Sequence, residues 1–167
     1  VSFEKMNKIL DYEPVDQCVV LQPGVITQQL QAFAEAHDCL YPVDFASSGS
    51  SQIGGNIATN AGGIKVLRYG LTRDWVAGLK VVTGTGELLD LNKGLVKNAT
   101  GYDFRHLFIG SEGTLGMIVE ATIRLAPKSG DLHVLLLAVP EMTKIIAVLE
   151  AFRQKVHLTA YEFFSEA

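Results

Sequence analysis

Ser50-Ser51-Gln52-Ile53-Gly54-Gly55-Asn56-Ile57-Ala58-Thr59-Asn60-Ala61-Gly62-Gly63 is the stretch on which the reading of this chain turns. Between Gly54 and Gly63 nearly every residue is Gly, Ala, Asn or Thr. Side chains this small let main chain pass within hydrogen-bonding distance of a flat ligand, and Asn and Thr add short, rigid polar groups. A second stretch, Gly110-Ser111-Glu112-Gly113-Thr114-Leu115-Gly116, leads directly into a strand around Ile118. A glycine at every third position before a strand suits a loop whose amides converge on an anion or a polar ring edge. Either stretch alone could be a tight turn. All but Gly24 and Gly130 of the 16 glycines lie between Gly49 and Gly116, and strongly patterned segments flank that region, so it is not a flexible linker.

Working outward, Cys18–Leu21 reads as a short β-branched strand closed by the turn Gln22-Pro23-Gly24. Thr27–His37 places Leu30, Phe33 and Ala34 at helical spacing over one apolar layer. Trp75–Thr83, the turn Gly84-Thr85-Gly86 and Glu87–Leu91 make a hairpin, with Gly84 and Gly86 expected at positive φ. Val119, Ala121, Ile123 and Leu125 alternate with Glu120, Thr122 and Arg124, the pattern of a half-buried antiparallel strand ended by Pro127. Beyond Lys128-Ser129-Gly130 the character changes. His133–Val139 reads as an apolar strand, Pro140 as the opening of a helix carrying Met142, Ile145, Leu149 and Phe152, and Val156–Phe164 as a second strand. The first residue is Val1 rather than Met, and this last unit is too small to cover its own sheet, so a fragment is expected: one partial domain and the beginning of another.

Composition narrows the function classes. Of 167 residues 48% are apolar and 19% charged, which excludes a disordered tail. A net charge of −4 without a basic cluster argues against nucleic acid as a partner. No apolar run approaches the roughly 20 residues that span a bilayer, and without a secretory signal pattern the expected compartment is the cytoplasm. Cys18 and Cys39 read as buried thiols, and the four histidines show no metal-ligand spacing, so no metal is expected.

Neither glycine stretch is a familiar nucleotide loop. A Walker A sequence is absent, and positions 110–116 run G-x-x-G-x-x-G rather than G-x-G-x-x-G. Antiparallel hairpins in place of βαβ units also disfavour a Rossmann fold. Instead Pro42-Val43-Asp44, the 53–63 stretch, Leu67-Arg68-Tyr69-Gly70, Lys97 with Thr100-Gly101-Tyr102-Asp103, and Phe108–Gly116 occur in an order and spacing that resemble the FAD-linked oxidases of the vanillyl-alcohol-oxidase (PCMH) type. The nearest branch holds the glycolate oxidase FAD subunit, D-lactate dehydrogenase and D-2-hydroxyglutarate dehydrogenase. The similarity covers almost the whole chain, and the stretches 67–70 and 100–103 lean toward the D-2-hydroxyglutarate and D-lactate members.

The resemblance implies an α+β fold: an antiparallel or mixed sheet with flanking helices, forming the second lobe of an FAD-binding domain (1–127), then the first β-α-β of a ferredoxin-like cap (128–167). It implies FAD as cofactor. Pro42 and Asp44 would lie near the isoalloxazine entry; Ser51, Gly54, Gly55, Asn56, Thr59 and Gly62 would line the ring and the ribityl-phosphate side; Gly113, Gly116 and Ile118 would reach the adenine–ribose end. Gln52 stands where many relatives have Thr, so an amide replaces a hydroxyl there. The implied reaction is oxidation of a D-2-hydroxy acid to the 2-oxo acid by hydride transfer to flavin N5, with the catalytic base and any metal motif in a segment this chain does not contain. Partners would be the small hydroxy acid, an unnamed electron acceptor, and a second copy or partner subunit. Alternatives are a flavoprotein of the same type acting on another alcohol, phenol or sugar, or a folded module that is catalytically silent as it stands and holds FAD weakly.

Single residues divide between structural and functional readings. Trp75 reads as a core anchor, Asp103 as the cap of a short helix, and Glu112 as capping the amides of 113–116. Arg68 and Tyr69 either stack at the surface or face a substrate cavity, and Lys97, Asn98 and Thr100 either brace a loop or touch the flavin edge.

Overall fold

A computed structural model describes residues 1–95 and 97–165. Five antiparallel strands form the main sheet in the order β1-β2-β6-β4-β5: β1 Ile9–Glu13, β2 Cys18–Leu21, β4 Val76–Thr83, β5 Leu88–Leu91 and β6 Gly116–Arg124. A two-stranded pairing joins β3 Cys39–Leu40 to β7 Ala126–Pro127. Helices α1 Thr27–Ala36, α2 Ile53–Ala58, α3 Val66–Tyr69, α4 Arg105–Phe108 and α5 Thr143–Arg153, with two short 3-10 turns at Thr72–Trp75 and Asn92–Gly94, complete the described elements.

β6 is the axis of the sheet because it is apolar enough to be buried between neighbours on both sides. Cys18 pairs with Arg124 on the β2 side, and Leu79 with Ala121 on the β4 side. Opposite β4, Glu120 faces Lys80 and Ile118 faces Val81, so Val119 is an extra residue. This bulge shifts the alternation expected from the sequence. Ile118, Ala121 and Ile123 enter the core while Val119 stays half-buried, because one inserted residue moves every side chain before it to the other face.

Leu30 and Ala34 of α1 and Ile53 and Ile57 of α2 close the core over Val19, Leu21, Leu79, Val81 and Ile123, all at most 2% exposed. The hairpin β4–β5 forms as expected, but only Gly86 has positive φ (84°). The turn is closed by Gly86 N–H donating to Thr83 O, so Gly84 needs no left-handed conformation. Gly78 is required for a different reason: a Cβ there would lie 2.6 Å from the backbone nitrogen of Gly94.

The segment after residue 127 departs furthest from expectation. α5 forms, beginning at Thr143 rather than at Pro140, with Ile145, Val148, Leu149 and Phe152 half-buried. His133–Val139 and Val156–Phe164 are not strands. Every residue from 130 to 142 is exposed, Val134 at 95%. An apolar run becomes a strand only when a neighbour takes up its N–H and C=O groups, and no described strand lies beside either segment. No described helix is long and apolar enough to cross a membrane.

Candidate functional site

The two glycine stretches meet. Gly110 N–H donates to Ile57 O (3.1 Å) and Glu112 N–H to Ala58 O (2.9 Å), so the 110–116 loop caps the last carbonyls of α2. This interface requires backbone that side-chain-bearing residues resist: Gly110, Glu112 and Gly113 all have positive φ (85°, 51° and 79°). Arg73 ties the junction from the side. Its N–H donates to Asn60 Oδ1 (3.0 Å), and its guanidinium reaches Ile109 O (3.4 Å).

The 53–63 stretch is a helix followed by a turn rather than an open loop, and it is two-faced. Toward the core, Asn56 is 5% exposed and its Nδ2 donates to Thr27 Oγ1 (2.7 Å). Thr27, fully buried on α1, also bonds Ser51 through both hydroxyls (2.7 Å) and donates its own N–H to Ser51 O (2.9 Å). One buried threonine therefore fixes both ends of the turn into α2. Gly54 is seated on Pro23, with its N–H on Pro23 O (2.8 Å). Gly63 lies against Asp44 so closely that a Cβ would fall 1.9 Å from Asp44 O.

The other face is bare main chain. Gly55 and Gly113 are exposed, and a Cβ built on either meets nothing within 4 Å. Neither of their N–H groups has a partner among the described residues. Thr59 and Gly62 are exposed as well, and the Thr59 hydroxyl donates to Gly55 O (3.0 Å), leaving its lone pairs outward. Two open glycines with unspent donors, rigidly joined by the 57–110 and 58–112 bonds, fit a planar ligand rich in acceptors, as the ring carbonyls and phosphates of FAD are.

The eleven residues singled out from the sequence thus fall into three groups. Gly55, Thr59, Gly62 and Gly113 are exposed. Ser51, Asp44 and Gly116 are half-buried, with Asp44 paired to Lys65 (3.0 Å) and accepting from Gln31 Nε2 (3.3 Å). Pro42, Gly54, Asn56 and Ile118 are buried. Thr27 and Arg73 carry much of this geometry and were not singled out; a threonine opening a helix and an arginine in a turn have no pattern of their own.

Neighbouring readings resolve as structure. Trp75 packs against the core and donates Nε1–H to Tyr69 O (2.8 Å). Asp103 accepts from the Arg105 backbone (3.2 Å) at the start of α4 and from its guanidinium, and Arg105 goes on to Val76 O and Ala77 O. These bonds hold the Asp103 carboxyl below the usual carboxylate range. No described hydrogen bond runs from the Glu112 side chain to the amides of 113–116; the residue contributes its backbone instead. Asn98 braces its loop through Asn92 Oδ1 (2.7 Å). Both cysteines are buried and unpaired, and burial pushes the Cys18 thiol up, as for an inert core thiol.

A family profile described as "FAD binding domain" matches residues 1–92. The chain belongs to the FAD-binding domain family. FAD is therefore its cofactor, as the resemblance implied. D-2-hydroxyglutarate dehydrogenase of Stutzerimonas stutzeri (strain A1501) is 63% identical over 166 residues, 99% of this FAD-binding chain and 36% of the relative. Mitochondrial D-2-hydroxyglutarate dehydrogenase of Bos taurus is 40% identical over 98% of the chain and 30% of the relative. A solved structure of alkyldihydroxyacetonephosphate synthase superposes with a TM-score of 0.65 at 30% identity, covering 74% of this chain and 22% of that one. The chain spans about a third of the length of the curated relatives it matches.

Proposed function

We propose that this chain supplies the second lobe of the FAD-binding domain (1–127) and the start of a substrate domain (128–167) in a dehydrogenase that oxidises a D-2-hydroxy acid to its 2-oxo acid. The carrying observation is the hydrogen-bonded junction of α2 with the 110–116 loop, within which Gly55 and Gly113 are each bare, open main chain. Similarity to D-2-hydroxyglutarate dehydrogenase over 99% of the chain supports the substrate class.

When bound, FAD supplies an acceptor for the hydride leaving the substrate α-carbon. The chain's own part is to bind and orient. The N–H groups of Gly55 and Gly113 donate to acceptors of the cofactor, and the absence of side chains lets a ring approach. Thr27, Asn56 and Ser51 hold α2 from behind, so these donors are fixed before the ligand arrives and binding orders little. Lys65 and Asp44 form a half-buried ion pair beside Gly63. The hydroxyl proton goes to a base that is not among this chain's assigned residues. Small hydroxy acids are the partners proposed, together with an electron acceptor and a second copy or partner subunit. The cytoplasm is the compartment proposed; two unpaired thiols suit reducing surroundings, and a relative named mitochondrial makes the mitochondrion its rival.

Likeness to alkyldihydroxyacetonephosphate synthase favours a second reading, the same FAD scaffold serving another alcohol-derived substrate. A panel of D-2-hydroxyglutarate, D-lactate, glycolate and non-acid alcohols separates the two. The full-length holoprotein is assayed with an electron-accepting dye, and product is identified by mass. Conversion of at least one D-2-hydroxy acid to its 2-oxo acid is expected; turnover of none of the three would contradict the proposal.

A further inference from the structure

One peptide unit at the junction of the two glycine stretches is held at both ends. The N–H of Gly110 donates to Ile57 O (3.1 Å), and the C=O of Ile109 accepts from the guanidinium of Arg73 (3.4 Å), in the 3-10 turn Thr72–Trp75. Gly110 sits at φ 85°, and glycine tolerates either sign of φ, so this peptide can turn over at little steric cost once one end is released. Turning it over would withdraw the N–H from Ile57 O and free the start of the 110–116 loop. The same arginine also binds the first stretch, through its own N–H on Asn60 Oδ1 (3.0 Å). Arg73 is therefore placed to set the loop against the end of α2.

Its hold is adjustable. At 3.4 Å the bond to Ile109 O is longer than the usual range, so a further contact must keep the guanidinium in place. Among the described residues no carboxylate lies within 4.0 Å of Arg73. The guanidinium instead meets the ring of His106, whose Nδ1 lies 3.4 Å from Nη1. A guanidinium only donates, so Nδ1 is assigned as the unprotonated nitrogen and Nε2 as the one bearing hydrogen. Nε2 lies 3.4 Å from Asp103, whose carboxylate is also held by Arg105, the residue before His106 on α4. Among the described residues Asp103 is the one carboxylate within 4.0 Å of the ring, and Arg73 and Arg105 are the cations beside it. The ring is 42% exposed, so solvent protons reach it. A proton on Nδ1 removes the acceptor, sets two cations against each other and draws the ring toward Asp103.

We propose that Arg73 is a positioning residue for the flavin, that neutral His106 keeps it on Ile109, and that protonation of His106 loosens the wall. The inference rests on the reading of α2 and the 110–116 loop as a wall for FAD.

The test uses the full-length protein as wild type, Arg73→Met, Arg73→Lys and His106→Asn, the last offering an acceptor near the place of Nδ1 that does not titrate. FAD affinity is measured at about pH 8 and about pH 5, the two ends of the range in which an imidazole changes charge. Wild type should bind roughly three- to tenfold more weakly at the lower pH, the loss of one hydrogen bond. Arg73→Met should show that loss at both pH values, Arg73→Lys should recover part of it at the higher one, and His106→Asn should bind alike at both. Unchanged affinity in Arg73→Met, no acid weakening in wild type, or the same acid weakening in His106→Asn would overturn the proposal. Hydrogen exchange on flavin-free protein gives a second readout: the protection factor of the Gly110 amide should fall in Arg73→Met, and in wild type as the pH is lowered. If Gly55→Val keeps its flavin, the reading of the wall fails, and exchange alone decides on Arg73 and His106. Equal protection of that amide in wild type and Arg73→Met at both pH values would refute their role.

Discussion

Strand β4 (Val76–Thr83) and the segment His133–Val139 are similarly apolar, yet one is the inside of a sheet and the other is exposed along its whole length. Hydrophobicity does not separate them. β4 has β5 and β6 on its two sides to accept its backbone hydrogen bonds, whereas no described strand lies beside residues 133–139. A strand is a property of a pair, and a sequence pattern reports only one member of it.

The comparison can be broken first by truncation. Ile123→Ala, near the C-terminal end of β6 but fully buried between Val19 of β2 and Val76 of β4, should lower unfolding free energy by about 2–5 kcal/mol in denaturant titration. Leu136→Ala, at 81% exposure, should change it by less than about 0.5 kcal/mol. Equal costs would mean that the C-terminal segment packs as tightly as the sheet.

A smaller effect is expected behind the glycine face. Thr27→Val keeps the shape but leaves the Asn56 amide and Ser51 hydroxyl without their buried partner, which should cost about 1–3 kcal/mol. Thr27→Ser should restore most of it. If Val and Ser behave alike, the hydroxyl is not what holds α2.

The smallest effect is electrostatic. Hydrogen bonding from Arg105, with its positive charge, lowers the Asp103 pKa in the fold below its ordinary 3.8. A depressed carboxylate stabilises above the unfolded pKa, and that contribution is lost as pH falls through the folded one. Asp103→Asn should therefore cost less than about 1 kcal/mol near pH 7, since the pair is partly exposed. The difference from wild type should shrink as pH falls below about 3.8 and vanish only below the lowered pKa of the folded state. A difference that persists in acid would point to the helix-capping bond alone.

Much of the frame was legible because its signals are local. Cys18–Leu21 is β-branched and bounded by a turn, and Thr27–His37 has one apolar stripe; both segments form, the helix ending one residue earlier. β1 (Ile9–Glu13) was not, since Ile-Leu-Asp-Tyr-Glu has weak alternation and joins the sheet only as an edge on β2. The helical turn of Ile53–Ala58 was hidden by its own composition, because Gly-Gly-Asn reads as loop until Pro23 and Thr27 are found holding it. The bulge at Val119 is a relation between strands and leaves no mark on one of them. At the site, the glycines were visible as a class, but which of them face outward depends on the backbone behind each. Gly54 and Gly63 are spoken for by Pro23 and Asp44, while Gly55 and Gly113 are open.

That last distinction carries the central claim, that α2 and the 110–116 loop form one wall for FAD. Gly55→Val tests it most directly, because the added side chain meets nothing in the protein and replaces one weak helix former with another. In the full-length protein, flavin retained per polypeptide should fall by about tenfold or more while the melting temperature of the flavin-free form stays unchanged. Stoichiometric flavin in the purified variant would contradict the account.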